Sequence, residues 1–393
     1  MKLVFLTSLV PVENPKSGYD IANRVVVDGL LSLGVKLKII GYLTPGEKPA
    51  YPNDTVVLDD LEVTNSKVGK SQKIKWLLRA LMNQTPVSVA KMLQTSSQDI
   101  NSALNTCRPY NGLFLNSVQL PGAFIDQFSK DKFVFLAHNV ESESAYKNAL
   151  NASNPLSAYL FKREARLLKH IEKQLCGQAK HVFTLADGDR AGLKVEEKSY
   201  HLPLVTQIKQ TQNAIAVKPK YDLGLIGTWS WAANRSGLNW FLDEVVPHIP
   251  GLKIAIAGKA SNIPSSTPTN VEFLGRVEDA HEFINSCQII PLISREGTGV
   301  QLKTIETFEM GLPTVATKSS LRGLDQLPSN CVVADDGKEF AKALVDMSDR
   351  IKSGEELKIN GSNFHQQQLS QLLTSLEGGL KQLDVSQKEL QTS

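Results

Sequence analysis

The chain has 393 residues, of which 41% are hydrophobic and 21% charged, and a formal net charge of +3. That length exceeds one ordinary core and points to two domains, and the composition excludes a disordered or fibrous chain. The near-balanced charge argues against a dedicated nucleic-acid binder, which would carry a concentrated basic field.

The opening "MKLVFLTSLVPV" has one basic residue, a short apolar stretch and no small-residue cleavage site, so it reads as a buried first strand rather than a signal peptide. Further β-branched runs follow at "VKLKIIGY", "GLFLNS", "KFVFLAHN" and "KHVFTLA", separated by helical patterns. That alternation predicts parallel α/β layering. Between them, "KSQKIKWLLRALM" (Lys70–Met82) sets Lys73, Lys75, Trp76 and Arg79 on a helical pattern with Leu77, Leu78 and Leu81. It reads either as an ordinary amphipathic helix with a solvated basic face or as one lying on an anionic membrane surface. A long surface helix is expected from the Asn154-Pro155 cap to Gly177, with Leu160, Leu167, Leu168, Ile171 and Leu175 as its apolar stripe.

The polar stretch from about Thr206 to Lys220 is the expected linker, and beyond it the rhythm restarts with "YDLGLIGT", "LKIAIAG", "NVEFLG", "QIIPLI", "PTVAT" and "CVVAD". Two doubly wound domains follow, residues 1–205 and 206–364, with the cleft between them the expected site. The tail repeats leucines from Leu369 to Leu383, a one-sided helix expected to break near Gly378-Gly379, to pack back on the first domain over about 365–393, and to fray at its end. Cys107, Cys176, Cys287 and Cys331 are far apart and read as free buried thiols; no zinc site is expected. No apolar run approaches the roughly eighteen residues needed to cross a bilayer.

The chemistry concentrates in "SREGTGVQLKTIETFEMGLPTVAT", residues 294–317. A helix is expected from about Val300, with Leu302, Ile305, Phe308 and Leu312 as its core stripe and Lys303 and Glu306 on another face. Gly297 and Gly299 allow close backbone approach, and a helix start offers free N–H groups to an anion. The amides of Gly299 and Val300 with Lys303 suit a diphosphate, and Glu306 suits ribose hydroxyls. An exposed Lys–Glu pair without a ligand is the alternative. Trp229, Trp231 and Trp240 read as sugar platforms or core, with core favoured for Trp240.

This stretch resembles the signature of the retaining GT-B glycosyltransferases of family four, glycosyltransferase group 1. There "G-x-G-x-x-x-K-x-x-E-A-x-x-x-G-x-P-V-V-A-T" binds a nucleotide-sugar donor. Gly297, Gly299, Lys303, Glu306, Gly311, Pro313, Val315 and Thr317 fall in register. "SGYDIANR", "LAHNVESES", "HVFTLADGDRAGL", "LIGTWSWAANRSGLNWFLDEVVPHI" and "NVEFLGRVEDAHEFINSCQIIPLI" resemble other parts of the family in order, so the resemblance covers roughly residues 1–345.

The resemblance implies an α/β GT-B fold: two Rossmann-like domains facing across a cleft, the first on the acceptor side, the second on the donor side. It implies metal-independent transfer, with retention, of a hexose-type sugar from a nucleoside-diphosphate sugar, UDP rather than GDP. The acceptor would be a glycan or lipid-linked hydroxyl in bacterial surface or exopolysaccharide assembly. Glu306 would hold the ribose. Lys303, with the amides of Gly299 and Val300, would steady the diphosphate, and Gly18 would close on it. Arg276 and Val277 would lie against the base, and His138 would face the donor sugar. Arg295, Glu296, Gly297 and Thr298 complete the expected donor loop, with Glu296 open between a sugar contact and a solvated turn residue. The basic pair that often follows the first strand of the family's second domain is represented only by a displaced Arg235. No cofactor or metal is expected, and the location would be cytoplasmic, with peripheral membrane contact an open option. Competing readings are a non-catalytic GT-B partner protein and a dinucleotide oxidoreductase; the latter lacks GxGxxG after the first strand.

Overall fold

The computed structural model describes residues 1–65, 67–206, 219–259 and 267–388. Most of the expected linker, and the tail beyond 388, lie outside the described residues. The chain divides into two compact units, Met1–Leu204 with Leu369–Ser393, and Val205–Gln368.

The first unit holds a seven-stranded sheet of β1 (Lys2–Leu9), β2 (Lys36–Leu43), β3 (Thr55–Asp60), β4 (Gly112–Asn116), β5 (Phe133–Ala137), β6 (His181–Thr184) and β7 (Ser199–His201). Its order is β3-β2-β1-β4-β5-β6-β7, and every pairing is parallel. The second unit holds β8 (Tyr221–Ile226), β9 (Ile254–Ala257), β10 (Val271–Gly275), β11 (Cys287–Leu292), β12 (Thr314–Ala316) and β13 (Cys331–Val333), in the order β10-β9-β8-β11-β12-β13. This sheet too is wholly parallel. Strands covered on both faces read as continuous apolar runs, which is why β1, β4 and β5 were legible as "KLVFL", "GLFLN" and "FVFLA". The edge strand β7 carries no such run and β3 only the short Val56–Leu58, and neither was anticipated.

The helices are α1 (Gly18–Ser32), α2 (Lys70–Met82), α3 (Val87–Ala90), α4 (Ser97–Cys107), α5 (Gln119–Ala123), α6 (Ile125–Phe128), α7 (Glu141–Leu150), α8 (Pro155–Gln178) and α9 (Gly188–Leu193) in the first unit. The second adds α10 (Ala232–Trp240), α11 (Ala280–Asn285), α12 (Leu302–Glu309) and α13 (Gly337–Lys352), and the chain ends with α14 (Ser362–Lys388). Their starts follow local chemistry. Ser17 with Asp20 and Ser96 with Asp99 form capping boxes, while Asn154, Asp279 and Asp336 accept from first-turn amides. The α8 stripe buries Leu168, Ile171 and Leu175 as expected.

The tail corrects the expectation of a break: α14 runs unbroken through Gly378 and Gly379. A Cβ on Gly378 would lie 2.8 Å from the Tyr200 ring, and one on Gly379 would lie 2.2 Å from Phe183 and 2.6 Å from His181. The glycines therefore let the helix approach the β6–β7 edge closely, and burial of Leu372, Leu376, Leu380 and Leu383 offsets their propensity cost of about 1 kcal/mol each. Cys107, Cys176 and Cys287 are buried free thiols, whereas Cys331 is only half-buried.

In each sheet the strand order reverses once, between β1 and β4 and between β8 and β11. Open parallel sheets bind ligands beyond the strand C-termini at such reversals. The two candidate clusters stand there.

Candidate functional site

In the second unit, β11 ends at Leu292 and the chain loops to α12, which begins at Leu302 rather than Val300. The amides of Gly299 and Val300 thus lie in the loop before the helix. Gly297 has φ +133 and Gly299 φ +69, in the region that only glycine enters readily, so this turn needs them. Hydroxyl chemistry holds the loop. Ser320 Oγ accepts from Ser294 N and donates to Leu292 O, both at 2.8 Å, while Thr304 Oγ1 donates to Ser320 O at 2.8 Å. Gln301 Nε2 donates to Ser294 Oγ at 2.9 Å, and Thr317 Oγ1 donates to Ser294 O.

Two cations meet at this turn. Arg322, from the segment after β12, donates from Nε to Gly299 O at 3.3 Å and from Nη1 to Ser319 O. Its Nη2 lies so close to Gly297 that a Cβ there would approach it to 2.8 Å. Lys303, on the first turn of α12, sets Nζ 5.9 Å from the centre of the Trp229 ring. Burial, with the Arg322 charge second, pushes its pKa down to about 8. Trp229 is buried beyond the end of β8, its indole N–H donating to Ala257 O at 2.8 Å. It is thus core and a wall of the Lys303 site together.

Glu306 is one turn further along α12, and its Oε1 is 2.5 Å from His281 Nε2. That hydrogen bond raises the His281 pKa against the opposing effect of burial, helped by the charges of Glu306 and Asp279. His281 belongs to α11, which follows the loop carrying Arg276, exposed, and Val277, half-buried. The expected ribose carboxylate and the expected base loop are therefore tied together. Glu296, Thr298 and Val300 are half-buried in the glycine loop. Arg295 instead lies over the Trp240 ring at 4.6 Å and donates to Asp335 O at 2.7 Å. Trp240 also packs edge-on against Phe340, while Trp231 and Arg235 are exposed.

In the first unit, Thr7, Asn23 and Asn116 form a buried polar network. Asn116 Nδ2 donates to Thr7 Oγ1 at 2.9 Å and to Asn23 Oδ1 at 2.6 Å, and Asn23 Nδ2 donates to Leu9 O at 2.9 Å. Asn116 Oδ1 is thereby the acceptor that faces His138 Nε2 at 2.8 Å. The proton sits on Nε2, and Nδ1 keeps its lone pair. Burial pushes the His138 pKa down to about 4, so the ring is neutral at ordinary pH. Tyr19 packs on the imidazole at 5.0 Å between centroids, its hydroxyl 3.0 Å from Thr7 Oγ1 and 3.1 Å from Ser117 Oγ. Ser117 has φ +65, a strained value at the end of β4. Gly18, exposed, opens α1 just before Tyr19.

Within the second unit, then, Gly297 and Gly299 lie in the turn before α12, and Lys303 and Glu306 on its first two turns. His281, Arg322, Asn116 and Tyr19 were missed. Asn116, a polar residue ending the apolar run "GLFLN", was the available signal; His281 and Arg322 come from other parts of the chain and gave none. Among the described residues, no group of three or more His, Cys, Asp or Glu side chains could hold a metal ion.

Comparison with known proteins agrees with this layout. Residues 220–350 match the family model for glycosyl transferases group 1. A curated relative from Klebsiella pneumoniae, an uncharacterized 44.6 kDa protein in the cps region, is 26% identical over 176 residues, 38% of this chain and 44% of that protein. The match thus spans less than half the relative's length. Among solved structures, WaaG, a glycosyltransferase involved in lipopolysaccharide biosynthesis, superposes with a TM-score of 0.59 at 13% identity, covering 98% of this chain and 99% of that one. HepE from Anabaena, solved in complex with UDP-glucose, gives 0.59 at 11% identity with 98% and 100% covered. Sucrose-phosphate synthase from Thermosynechococcus elongatus gives 0.58 at 11% identity and full coverage of both chains. At these identities the superpositions establish the fold, which is GT-B.

Proposed function

We propose, for a GT-B chain whose residues 220–350 match the family model for glycosyl transferases group 1, that it moves a hexose-type sugar from a nucleoside-diphosphate sugar to an acceptor hydroxyl, with retention at the anomeric carbon. The observation that carries this is the glycine turn bearing two cations, Lys303 and Arg322, with the Glu306 carboxylate one helical turn away. The cations and the loop amides suit a diphosphate, and the carboxylate suits the hydroxyls of an adjoining ribose.

In the reaction the bond from the anomeric carbon to the leaving phosphate oxygen breaks, and a bond to the acceptor oxygen forms on the same face. The acceptor proton passes to the departing diphosphate. Lys303 and Arg322 stabilise the negative charge that develops there, which is the main electrostatic task of such a site. This assignment makes the transfer metal-independent. Arg276 and Val277 flank the base, for which UDP is our choice. It is the nucleotide of HepE in its UDP-glucose complex. The neutral His138, with Nδ1 free to accept, would bind a hydroxyl of the sugar, and Gly18 would allow close backbone approach. A glycan or lipid-linked acceptor in surface-polysaccharide assembly is the reading favoured by the relative in a cps region.

The test is a thermal-shift panel of UDP, GDP, ADP and NAD with their sugar conjugates, on wild type and Glu306→Ala. A shift with one nucleoside diphosphate that the substitution abolishes supports the assignment. Absence of any shift would leave the turn as scaffold and favour a non-catalytic partner protein; a shift with NAD alone would revive the oxidoreductase.

A further inference from the structure

An ordinary amphipathic helix buries its apolar stripe and solvates its charged face. In α2 the buried residues are Trp76 and Ala80. Lys91 crosses the Trp76 ring at 4.5 Å, with Nζ donating to Val63 O at 2.7 Å, so the inward face is complete without the remaining apolar residues. Leu77 is half-buried and the other four face outward: Ile74 is 57% exposed, Leu78 53%, Leu81 47% and Met82 84%. Spaced three and four apart, Ile74, Leu78 and Leu81 line one side of the helix.

The charge around this face is one-sided. Residues 63–98 contain no Asp or Glu but include Lys67, Lys70, Lys73, Lys75, Arg79 and Lys91. Lys70, Lys73 and Lys75 are exposed beside the apolar residues. Exposed apolar residues also stand on a neighbouring helix. Arg163 of α8 donates from Nη2 to Ala80 O at 2.9 Å and from Nη1 to Thr85 O at 3.1 Å, which sets that part of α8 against the end of α2. One and two turns before Arg163 stand Tyr159 and Leu156, 66% and 68% exposed, and Lys162 and Arg166 flank it.

We infer that α2, with the first turns of α8, is a docking surface for an anionic lipid bilayer. Glu164 of α8 is taken up by the Val87 and Ser88 amides and Glu62 pairs with Lys67 at 3.4 Å, so the exposed apolar side chains of α2 are rimmed by Lys70, Lys73 and Lys75. That matches the chemistry of the interface: apolar groups enter the acyl boundary while the ammonium groups meet lipid phosphates. A protein partner of balanced surface would not select the purely basic charge of α2. Among the described residues no helix is long and apolar enough to cross a membrane.

The experiment is vesicle flotation of the full chain with phosphatidylglycerol/phosphatidylethanolamine vesicles and with pure phosphatidylcholine vesicles. Wild type is expected to float with the anionic vesicles and much less with the zwitterionic ones. The triple variant Lys70→Gln, Lys73→Gln, Lys75→Gln is expected to lose on the order of a hundredfold in partitioning. The triple variant Ile74→Ser, Leu78→Ser, Met82→Ser should fail to float yet keep the wild-type melting temperature, because these side chains are already exposed. The inference is overturned if wild type does not bind anionic vesicles, or if the serine variant binds as well as wild type. It is also overturned if that variant instead dissolves a dimer in size exclusion, which would assign the face to a second copy. Nucleotide binding is not involved, so this result stands apart from the donor assignment.

Discussion

Lys303 offers a direct reading of whether the glycine turn takes an anion. Its pKa is pushed to about 8 by burial and by the Arg322 charge, from an ordinary value of about 10.4. A diphosphate between the two cations reverses both influences and restores the protonated form. At pH 8 the free protein holds about half a proton on Lys303 and the complex about one, so binding takes up ~0.5 proton per nucleotide. The uptake shrinks to ~0.1 at pH 7 and grows to ~0.9 at pH 9. By the same linkage the affinity for UDP falls about fivefold to tenfold from pH 7.5 to 9, a range above the second phosphate pKa of about 6.

Isothermal titration in two buffers of different ionisation heat measures the uptake directly. Lys303→Met should abolish it, flatten the pH profile and weaken binding by roughly a hundredfold at pH 7.5. Lys303→Arg should keep the charge while abolishing the uptake, since arginine does not titrate. Stability of the free protein carries the matching sign. The unfolded lysine holds more proton than the folded one between about pH 8 and 10, so wild-type stability gains with rising pH there and Lys303→Met lacks that gain. Tight binding with no buffer dependence and an affinity flat from pH 7.5 to 9 would refute the reasoning.

Other consequences are equally open to measurement. Because the Glu306 hydrogen bond raises the His281 pKa, the pair's stabilisation is full below about pH 6.5 and lost as pH rises through the raised value. His281→Gln should therefore lower the melting temperature at pH 5.5 more than at pH 8.5, by an amount worth at most about 1 kcal/mol for so exposed a pair. The neutral, half-buried His138 has its pKa pushed down to about 4, so it opposes folding as pH falls from about 6.5 to 4; His138→Asn should reduce the loss of stability across that window in a pH-melting series. Asn116→Leu, which removes the acceptor from His138 Nε2, should cut kcat at least tenfold while leaving UDP affinity within about twofold, the split expected of a positioning residue. Glu309, buried, accepts from Thr206 N, from the Thr206 hydroxyl and from His365 Nδ1 at 2.8 Å. Glu309→Ala should destabilise the second unit by about 3 kcal/mol in urea melts, since three donors lose their acceptor together.

How much of this was legible depends on how local each feature is. The turn "REGTGVQ" and the stripe Leu302, Ile305 and Phe308 are set within a dozen residues, and both the glycine conformations and the helix emerge as expected. Only the helix start shifts, by two residues, because Gln301 takes the cap position. His281 and Arg322 approach the same few atoms from other loops, and no spacing rule connects them to Lys303 or Glu306. After β8 the expected basic pair is represented only by Arg235, which is exposed; the second cation comes from beyond β12. Gly378 and Gly379 misled for the opposite reason. Local propensity favours a break there, and only the packing against Tyr200 and Phe183 explains why the helix continues. In α2 the periodicity was visible, but which apolar residues face inward was not, because Trp76 and Ala80 suffice to fill that side.

The order of charges along α12 also limits what kind of ligand can lie across the second unit. Lys303 and Glu306 are three residues apart on one face, so their Cβ atoms are only about 5–6 Å apart. A ligand with one dense negative charge would meet Lys303 and Arg322 favourably but would be repelled by Glu306 if it extended along the helix. A ligand with only hydroxyls would satisfy Glu306 and make no use of the positive charge of Lys303. A molecule that is anionic at one end and becomes a hydrogen-bond donor within one helical turn suits both groups, and a diphosphate joined to ribose has that polarity. The His281 bond adds a constraint: it occupies Oε1 of Glu306 and leaves Oε2 as the acceptor for an incoming hydroxyl. In the first unit the neutral His138 offers one lone pair and no charge, a site for a hydroxyl and not for a phosphate.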